Sequence, residues 1–346
     1  MHGVRAVSAH AHGIVARGRF VPHPLLRSAH LQTIFPTLCR PRPPVHVERE
    51  RIELDDSDFV DLGWLGDSRT RRDGPILLMV HGLGGGFESK YALGLGQRLA
   101  AYGWRSVILQ LRGAGPEPNR LARCYHHGDT ADFHIICRLL RRRVPDEAIY
   151  AAGWSLGANV VLKAAGETGT ACLLSGVAAA SVPFNIAPCA EHLRHGATRV
   201  YQSYLMHAVR ANLRFKHRRV PLPPGADLDA ALRAHDFFAF DDAYTAPING
   251  FADSRDYYAQ TSCGQFLRGI ACPTLIVHAR DDPFMVPGII PPAEMLSPAV
   301  RLELCDHGGH VGFVSRGPHG VPDYWLGERI ASFLEAQRAG SHIASP

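Results

Sequence analysis

The run Gly153-Trp154-Ser155-Leu156-Gly157 places a serine between two glycines in a G-x-S-x-G pattern. Between a strand and a helix this spacing makes a very sharp turn. The serine is forced into a strained backbone conformation and presents its hydroxyl as a nucleophile. Side chains at 153 and 157 would collide with the neighbouring helix and strand, which accounts for the glycines. A serine hydroxyl is a weak nucleophile alone; it needs a base to take its proton and a carboxylate to hold that base. Two later clusters offer those groups: Asp281-Asp282-Pro283-Phe284 and His307-Gly308-Gly309-His310. An earlier cluster, His81-Gly82-Leu83-Gly84-Gly85-Gly86, offers backbone N–H groups for a developing negative charge. It is not a phosphate-binding loop: Phe87 stands where G-x-G-x-x-G requires glycine, and no G-K-[ST] occurs.

A further group, Cys124, His126, His127, Asp129, Asp132 and His134, could suggest a metal site. It lacks H-E-x-x-H and has no structural-zinc partner pair elsewhere. In a chain with 20 histidines some crowding is expected. The reading is therefore no metal and no cofactor.

Alternating elements must position these clusters. His46–Leu54 and Asp58–Leu65 read as strands joined by Asp55, Asp56 and Ser57. Ile76–His81, Ser106–Leu111, Ala148–Ala152, Cys172–Ala179, Thr274–Ala279 and Val300–Leu304 are short apolar runs expected to be strands. Helical spacing appears over Tyr91–Tyr102, Asp129–Arg142, Asn159–Ala165 and Trp325–Ala336. Each chemical cluster follows a strand. The order predicts an α/β protein with a mostly parallel sheet and helices on both faces. Residues 1–20 are expected to form a poorly ordered tail, and Arg40-Pro41-Arg42-Pro43-Pro44 an extended linker. The rhythm breaks after Pro183. Residues 184–265 read as a helical cap inserted between a first core part, 21–183, and a second, 266–338. Phe184, Tyr201, Tyr204, Leu205 and Met206 are candidates to line a pocket beneath the cap, with packing inside the cap as the competing reading.

The chain order serine, aspartate, histidine on successive strand ends is that of the α/β-hydrolase fold. In that fold the two oxyanion donors are the residue after the nucleophile and one in the earlier glycine-rich loop, here Leu156 and Leu83. Each such donor lowers the barrier by about 3 kcal/mol.

The residues also resemble a known family, the YheT-like α/β hydrolases, over roughly residues 21–337. The resemblance rests on His30-Leu31-Gln32-Thr33, Asp58-Phe59-Val60-Asp61-Leu62, and His81-Gly82-Leu83 with Ser89 and Tyr91. It continues through Arg112-Gly113, Gly115-Pro116-Glu117-Pro118-Asn119-Arg120, Tyr125-His126, and Ser155-Leu156-Gly157 with Asn159. Asp281-Asp282-Pro283-Phe284-Met285 and Gly308-Gly309-His310-Val311-Gly312-Phe313 complete it. The resemblance implies Ser155 as nucleophile, Asp282 as orienting acid with Asp281 as runner-up, and His310 rather than His307 as base. His127 stands where a serine is common in the family, and Ala158 where a glycine is common. Bacterial members look like carboxylesterases, so a small-molecule ester or lipid-like substrate is expected. The rival readings are an acyltransferase on the same residues and a binding protein with little turnover.

Composition bounds these readings. The chain has 346 residues, 46% apolar and 20% charged, enough for a full core without disulfides or metal. No run of 18 apolar residues occurs, so no integral membrane anchor is expected, and Met1–Phe20 does not read as a secretory signal. Eight cysteines without a C-x-x-C pair read as reduced thiols of a cytoplasmic protein. The net charge of +5 is modest and spread along the chain. Its densest stretch, Arg210–Arg219, lacks a nucleic-acid motif and reads as a solvated helix face.

Overall fold

The computed structural model describes residues 11–343. Strands β1 (Ile14–Arg17), β2 (Val47–Glu53), β3 (Phe59–Leu65), β4 (Ile76–Val80), β5 (Arg105–Gln110), β6 (Ile149–Trp154), β7 (Gly176–Ala180), β8 (Thr274–Ala279) and β9 (Val300–Cys305) form one sheet. Its order is β1-β9-β8-β7-β6-β4-β5-β3-β2. β3 runs antiparallel to both β2 and β5, and every other pair is parallel. The central strands are buried along their whole length, as a sheet covered on both faces requires. Successive side chains point to opposite faces. Leu78 and Val80 thus join one core with Val107, Ala151 and Val177, while Leu77 and Met79 join the other with Ile108, Ala152 and Ala178.

Helices α1 (Ala29–Cys39), α2 (Lys90–Ala100), α3 (Ala131–Arg143) and α4 (Leu156–Thr168) belong to the first part of the chain. Between β7 and β8 lie α5 (Ile186–Leu193), α6 (Arg199–Lys216), α7 (Leu228–Arg233), α8 (Phe237–Phe240), a π-helical turn (Asp241–Thr245), α9 (Ala246–Asn249) and α10 (Ser254–Thr261). These helices have their own small core of Met206, Leu213, Ala231, Ala234, Phe240 and Tyr244. A hairpin of β10 (Val314–Arg316) and β11 (Pro322–Tyr324) precedes α11 (Trp325–Ile343).

The structure corrects several expectations. Of the expected poorly ordered tail 1–20, residues 1–10 lie outside the described residues, but Ile14–Arg17 is an edge strand paired with Arg301–Leu304. Its apolar run is only three residues long, Ile14-Val15-Ala16, and its side chains are mostly exposed. Main-chain bonds from Gly13 N–H to Leu296 and from Gly18 N–H to Leu304 extend the pairing, and Phe20 is buried against Phe313 and Trp325. The strand expected over Cys172–Ala179 starts only at Gly176. Leu173 is exposed, so the residues before Gly176 do not make a two-sided buried strand. α4 starts at Leu156 rather than Asn159, and α11 runs on to Ile343. α1, absent from the expected helices, carries an internal proline, Pro36, and buries the polar Gln32 and Thr33 while Leu31, Ile34 and Leu38 are exposed. Within the basic stretch 210–219, Lys216 is buried and donates to the Arg123 carbonyl at 2.5 Å, so that face is not wholly solvated.

Candidate active site

Ser155 lies between β6 and α4 with φ 53° and ψ −120°, a conformation that L-residues rarely adopt. The two flanking glycines permit it. A Cβ on Gly153 would lie 2.3 Å from the Gly157 carbonyl oxygen, and one on Gly157 would lie 2.2 Å from the Val80 carbonyl oxygen. The turn is therefore packed between its own helix and the end of β4, as its spacing predicted.

From Ser155 a hydrogen-bonded chain runs inward. Its Oγ lies 3.0 Å from Nε2 of His310, and Nδ1 of His310 lies 2.8 Å from Oδ2 of Asp282. Asp282 is buried at the end of β8, and its other oxygen accepts from the Phe284 N–H at 2.9 Å. Phe284 stacks flat on the His310 ring, centroids 4.0 Å apart and planes 3° from parallel. The neighbouring pair stands apart from this chain. Asp281 accepts from the Gly309 N–H at 3.0 Å and lies 3.2 Å from His307, whose side chain is half exposed. Of the four candidate side chains in the two clusters, Asp282 and His310 converge on Ser155; Asp281 and His307 do not.

The loop after β4 carries the other expected feature. Four of its N–H groups are occupied: Gly82 donates to the Tyr91 hydroxyl, Gly84 to the Tyr125 hydroxyl, Gly85 to the Gly82 carbonyl and Gly86 to the Ser89 hydroxyl. Among the described residues the Leu83 N–H has no protein acceptor. Neither has Leu156 N–H, the first of α4, where intrahelical partners are absent by geometry. A Cβ on Gly82 would touch Ser155 Cβ at 3.4 Å, so this loop lies directly against the nucleophile position. His81 anchors it from below. Its Nδ1–H donates to the Gly82 carbonyl at 2.8 Å while Nε2 accepts from the Leu111 N–H at 3.3 Å, a neutral tautomer. Burial pushes its pKa down to about 4.

Several positioning residues were quoted in the sequence without a role, and the structure supplies one. Thr33 Oγ1 accepts from the His310 N–H at 2.9 Å. Gln32, fully buried, accepts from Val314 N–H and donates to the Val314 and Leu26 carbonyls. Asn159 joins α4 to the end of the inserted helices through the His127 and Thr261 carbonyls and the Cys263 N–H. Arg112 grips Asp132 with two bonds of 2.6 and 2.8 Å and reaches Asp56 and Asp58. Its carbonyl accepts from the Tyr125 N–H, which places the Tyr125 hydroxyl on the Gly84 loop. Ser181, with φ 52°, was not singled out; its Oγ accepts from the Val311 N–H at 2.9 Å.

The histidine-rich stretch is dispersed among other partners. Asp129 pairs with Arg123, Asp132 with Arg112, His134 with Glu167 and His127 with Tyr257. Among the described residues no group of three His, Cys, Asp or Glu side chains could hold a metal ion.

A cavity of about 800 Å³ opens onto Ser155 and His310. Its wall is mostly apolar, including Pro183, Ile186, Leu193, Leu205 and Met285. Of the five candidate lining residues, Tyr204 and Leu205 border it. Phe184 instead packs in the sheet core, Met206 lies in the core of the inserted helices, and Tyr201 packs against Phe284 with the rings tilted by 41°. Among the described residues no helix is long and apolar enough to cross a membrane.

Comparison with known proteins agrees with this fold. The chain is 39% identical over 318 residues to YheT of Escherichia coli, a candidate esterase, covering 91% of this chain and 92% of that one. It is 28% identical to the mouse phospholipase ABHD3 over 82% of this chain and 70% of the relative. The Pyrococcus furiosus esterase Pf2001 superposes with a TM-score of 0.55 at 15% identity, covering 98% of this chain and all of that one, a likeness of fold. The family profile described as the alpha/beta hydrolase fold matches residues 75–316, and with the YheT match it shows that this chain belongs to the YheT-like α/β hydrolases.

Proposed function

We propose that the protein is a serine carboxylic-ester hydrolase working through an acyl-enzyme on Ser155. The observation that carries this reading is the unbroken chain Ser155–His310–Asp282, at 3.0 and 2.8 Å, on the wall of a large apolar cavity. His310 takes the proton of Ser155 as the hydroxyl attacks the ester carbonyl. Asp282 holds the ring so that Nε2 is the accepting nitrogen. The Leu83 and Leu156 N–H groups bind the oxyanion, each contributing about 3 kcal/mol of barrier lowering. His310 then gives its proton to the leaving alcohol, and a water activated by the same ring releases the acid. No metal or cofactor enters these steps.

Residues 184–265 act in this reading as a cap over the site, contributing Ile186, Leu193, Tyr204 and Leu205 to the cavity wall. The apolar wall suits an ester with an alkyl segment or a lipid-like substrate. Eight free thiols support a cytoplasmic location. The test is labelling with a fluorophosphonate and turnover of a panel of p-nitrophenyl esters. Ser155→Ala is expected to abolish labelling and to lower kcat about 10⁶-fold. Unchanged labelling of that variant refutes the assignment of the nucleophile. Added alcohols that divert the acyl group to new esters in preference to water would make the enzyme a transferase.

A further inference from the structure

A second cavity, of about 80 Å³, lies behind the oxyanion residues Leu83 and Leu156. Leu83, His127, Phe237 and Asp241 border both this cavity and the large one, so they mark the junction between them. Two of these four are polar, and neither takes part in the steps above. We propose that His127 and Asp241 form a subsite that binds a hydroxyl group of the ester substrate. The proposal rests on the hydrolase reading and adds the chemical class of the substrate.

The hydrogen bonds around His127 fix what it offers. The Tyr257 hydroxyl oxygen accepts from the His127 backbone N–H at 2.9 Å and lies 3.0 Å from Nδ1. Nδ1 is the one acceptor within reach of the Tyr257 O–H among the described residues, so the hydroxyl gives its own proton to Nδ1. Burial keeps the imidazole neutral by pushing its pKa down to about 3. A neutral ring has one N–H, so the proton is on Nε2. Among the described residues no protein acceptor lies within hydrogen-bond distance of Nε2. His127 therefore presents an unused donor at the junction.

Asp241 presents the complementary acceptor. It opens the π-helical turn Asp241–Thr245, a rare irregularity that is frequent at functional sites. It is buried, and Oδ2 accepts from the Tyr258 hydroxyl at 2.5 Å. Among the described residues no Lys, Arg or His nitrogen lies within 4.0 Å of it, and burial raises its pKa to about 7. Above about pH 7, where Asp241 is ionised, its carboxylate can accept about four hydrogen bonds, so capacity remains beyond Tyr258 and the nearby Thr245.

A hydroxyl is the group that uses both. It donates to Asp241 and accepts from His127 Nε2–H. An ammonium could satisfy Asp241 but has no lone pair for the imidazole N–H. A methyl leaves both buried groups unpaired, which a site of this kind penalises. The smaller cavity, at about 80 Å³, exceeds the roughly 10–15 Å³ that a single water needs, and has room for a hydroxymethyl end. Apolar neighbours Val209, Leu213 and Phe240 border the rest of it.

The experiment compares kcat/KM for two matched ester series. In one, p-nitrophenyl esters carry an ω-hydroxyacyl chain or its methyl-capped isostere; in the other, butyrates carry a hydroxyalkyl or an alkyl alcohol. The wild-type enzyme is expected to prefer the hydroxyl member about tenfold or more in one series, and the series that responds tells which side of the ester faces the junction. The preference should fall at least threefold in His127→Ser, and likewise in Asp241→Asn, which keeps the acceptor for Tyr258 but turns an amide toward the cavity. Because each preference is a ratio within one preparation, partial misfolding cancels, and His127→Ser alone decides if Asp241→Asn does not fold. Absence of preference in both series, or its persistence in the variants, overturns the subsite. Failure of the wild-type enzyme to label with a fluorophosphonate instead overturns the hydrolase reading.

Discussion

Replacing Asp282 by asparagine separates the two adjacent aspartates. In the structure Asp282 uses its two oxygens differently: Oδ1 accepts from the Phe284 N–H at 2.9 Å, and Oδ2 faces His310 Nδ1 at 2.8 Å. Asparagine can keep only one of these as an acceptor. The Phe284 N–H is a fixed donor, so the amide oxygen takes the Oδ1 place and the NH₂ group turns to Nδ1. An amide N–H facing Nδ1 requires that nitrogen to be unprotonated, which puts the ring proton on Nε2, toward Ser155. The base is then the wrong tautomer to accept a proton. Loss of the carboxylate also removes the charge that balances the imidazolium. Together these are expected to lower kcat about 10⁴-fold, or about 5 kcal/mol of barrier. Asp281→Asn keeps an acceptor for the Gly309 N–H and loses only the exposed contact with His307, so a change below about tenfold is expected. The assay is burst-titrated kcat on an activated p-nitrophenyl ester, with the fluorophosphonate labelling rate as a second measure. An Asp281 variant as impaired as the Asp282 variant, or an Asp282→Asn enzyme within tenfold of wild type, would refute the reasoning.

The buried histidines set an acid limit on stability. His81 and His278 are fully buried and their pKa values are pushed down to about 4 by desolvation, whereas unfolded histidine titrates near its ordinary value. The unfolded chain therefore binds more protons between roughly pH 6.5 and 4, so stability present above that window is lost as pH falls, by roughly 3 kcal/mol for each ring. Urea denaturation at pH 7.5 and 5 measures it, and equal midpoints would contradict the account. Gly157→Ala puts a Cβ 2.2 Å from the Val80 carbonyl oxygen and 2.5 Å from that of His81, both main-chain atoms that cannot swing aside. Labelling of Ser155 should fall at least 100-fold or the chain should fail to fold; normal labelling would show that the elbow has room. Asp132→Asn leaves the buried Arg112 one acceptor where it had a two-bond carboxylate, at a cost of about 1.5–3 kcal/mol, and should lower Tm by roughly 3 °C in a calorimetric scan. An unchanged Tm would mean that Asp56 and Asp58 suffice.

Much of this architecture was legible because its signals are local. The nucleophile turn needs two glycines and a serine at fixed spacing, and the observed collisions at 153 and 157 are those the spacing implied. Central strands such as Ile76–Val80 are apolar at every position because both faces are covered. What stayed hidden depends on distant partners. Ile14–Arg17 pairs with residues nearly 290 positions later through main-chain bonds, a partner that its short apolar run, Ile14-Val15-Ala16, does not announce. The choice between Asp281 and Asp282 turns on which way a strand end points, and adjacent residues of one type give no sequence signal for that. Arg112 is a charged residue in a position that local patterns assign to the surface. It is buried because carboxylates from two other places in the chain, Asp56 and Asp58 of the β2–β3 turn and Asp132 of α3, converge on it.

The histidine loop shows why such remote partners matter to the chemistry. Val311 and Phe313 both have positive φ, 61° and 45°, although neither is glycine. Strain of this kind costs on the order of 1–3 kcal/mol at each residue and persists only where surroundings over-determine it. Here the surroundings are hydrogen bonds to nearly every N–H of the loop: Thr33 holds His310, Ser181 holds Val311, the Gly308 carbonyl holds Phe313, and Gln32 holds Val314. Each is worth about 0.5–1.5 kcal/mol, so four of them offset strain of this size. Two of the four acceptors come from α1, almost 280 residues away in the chain. The Gln32-Thr33 pair is thus a clamp: it makes a strained loop the stable one, and that loop carries His310 to 3.0 Å from Ser155.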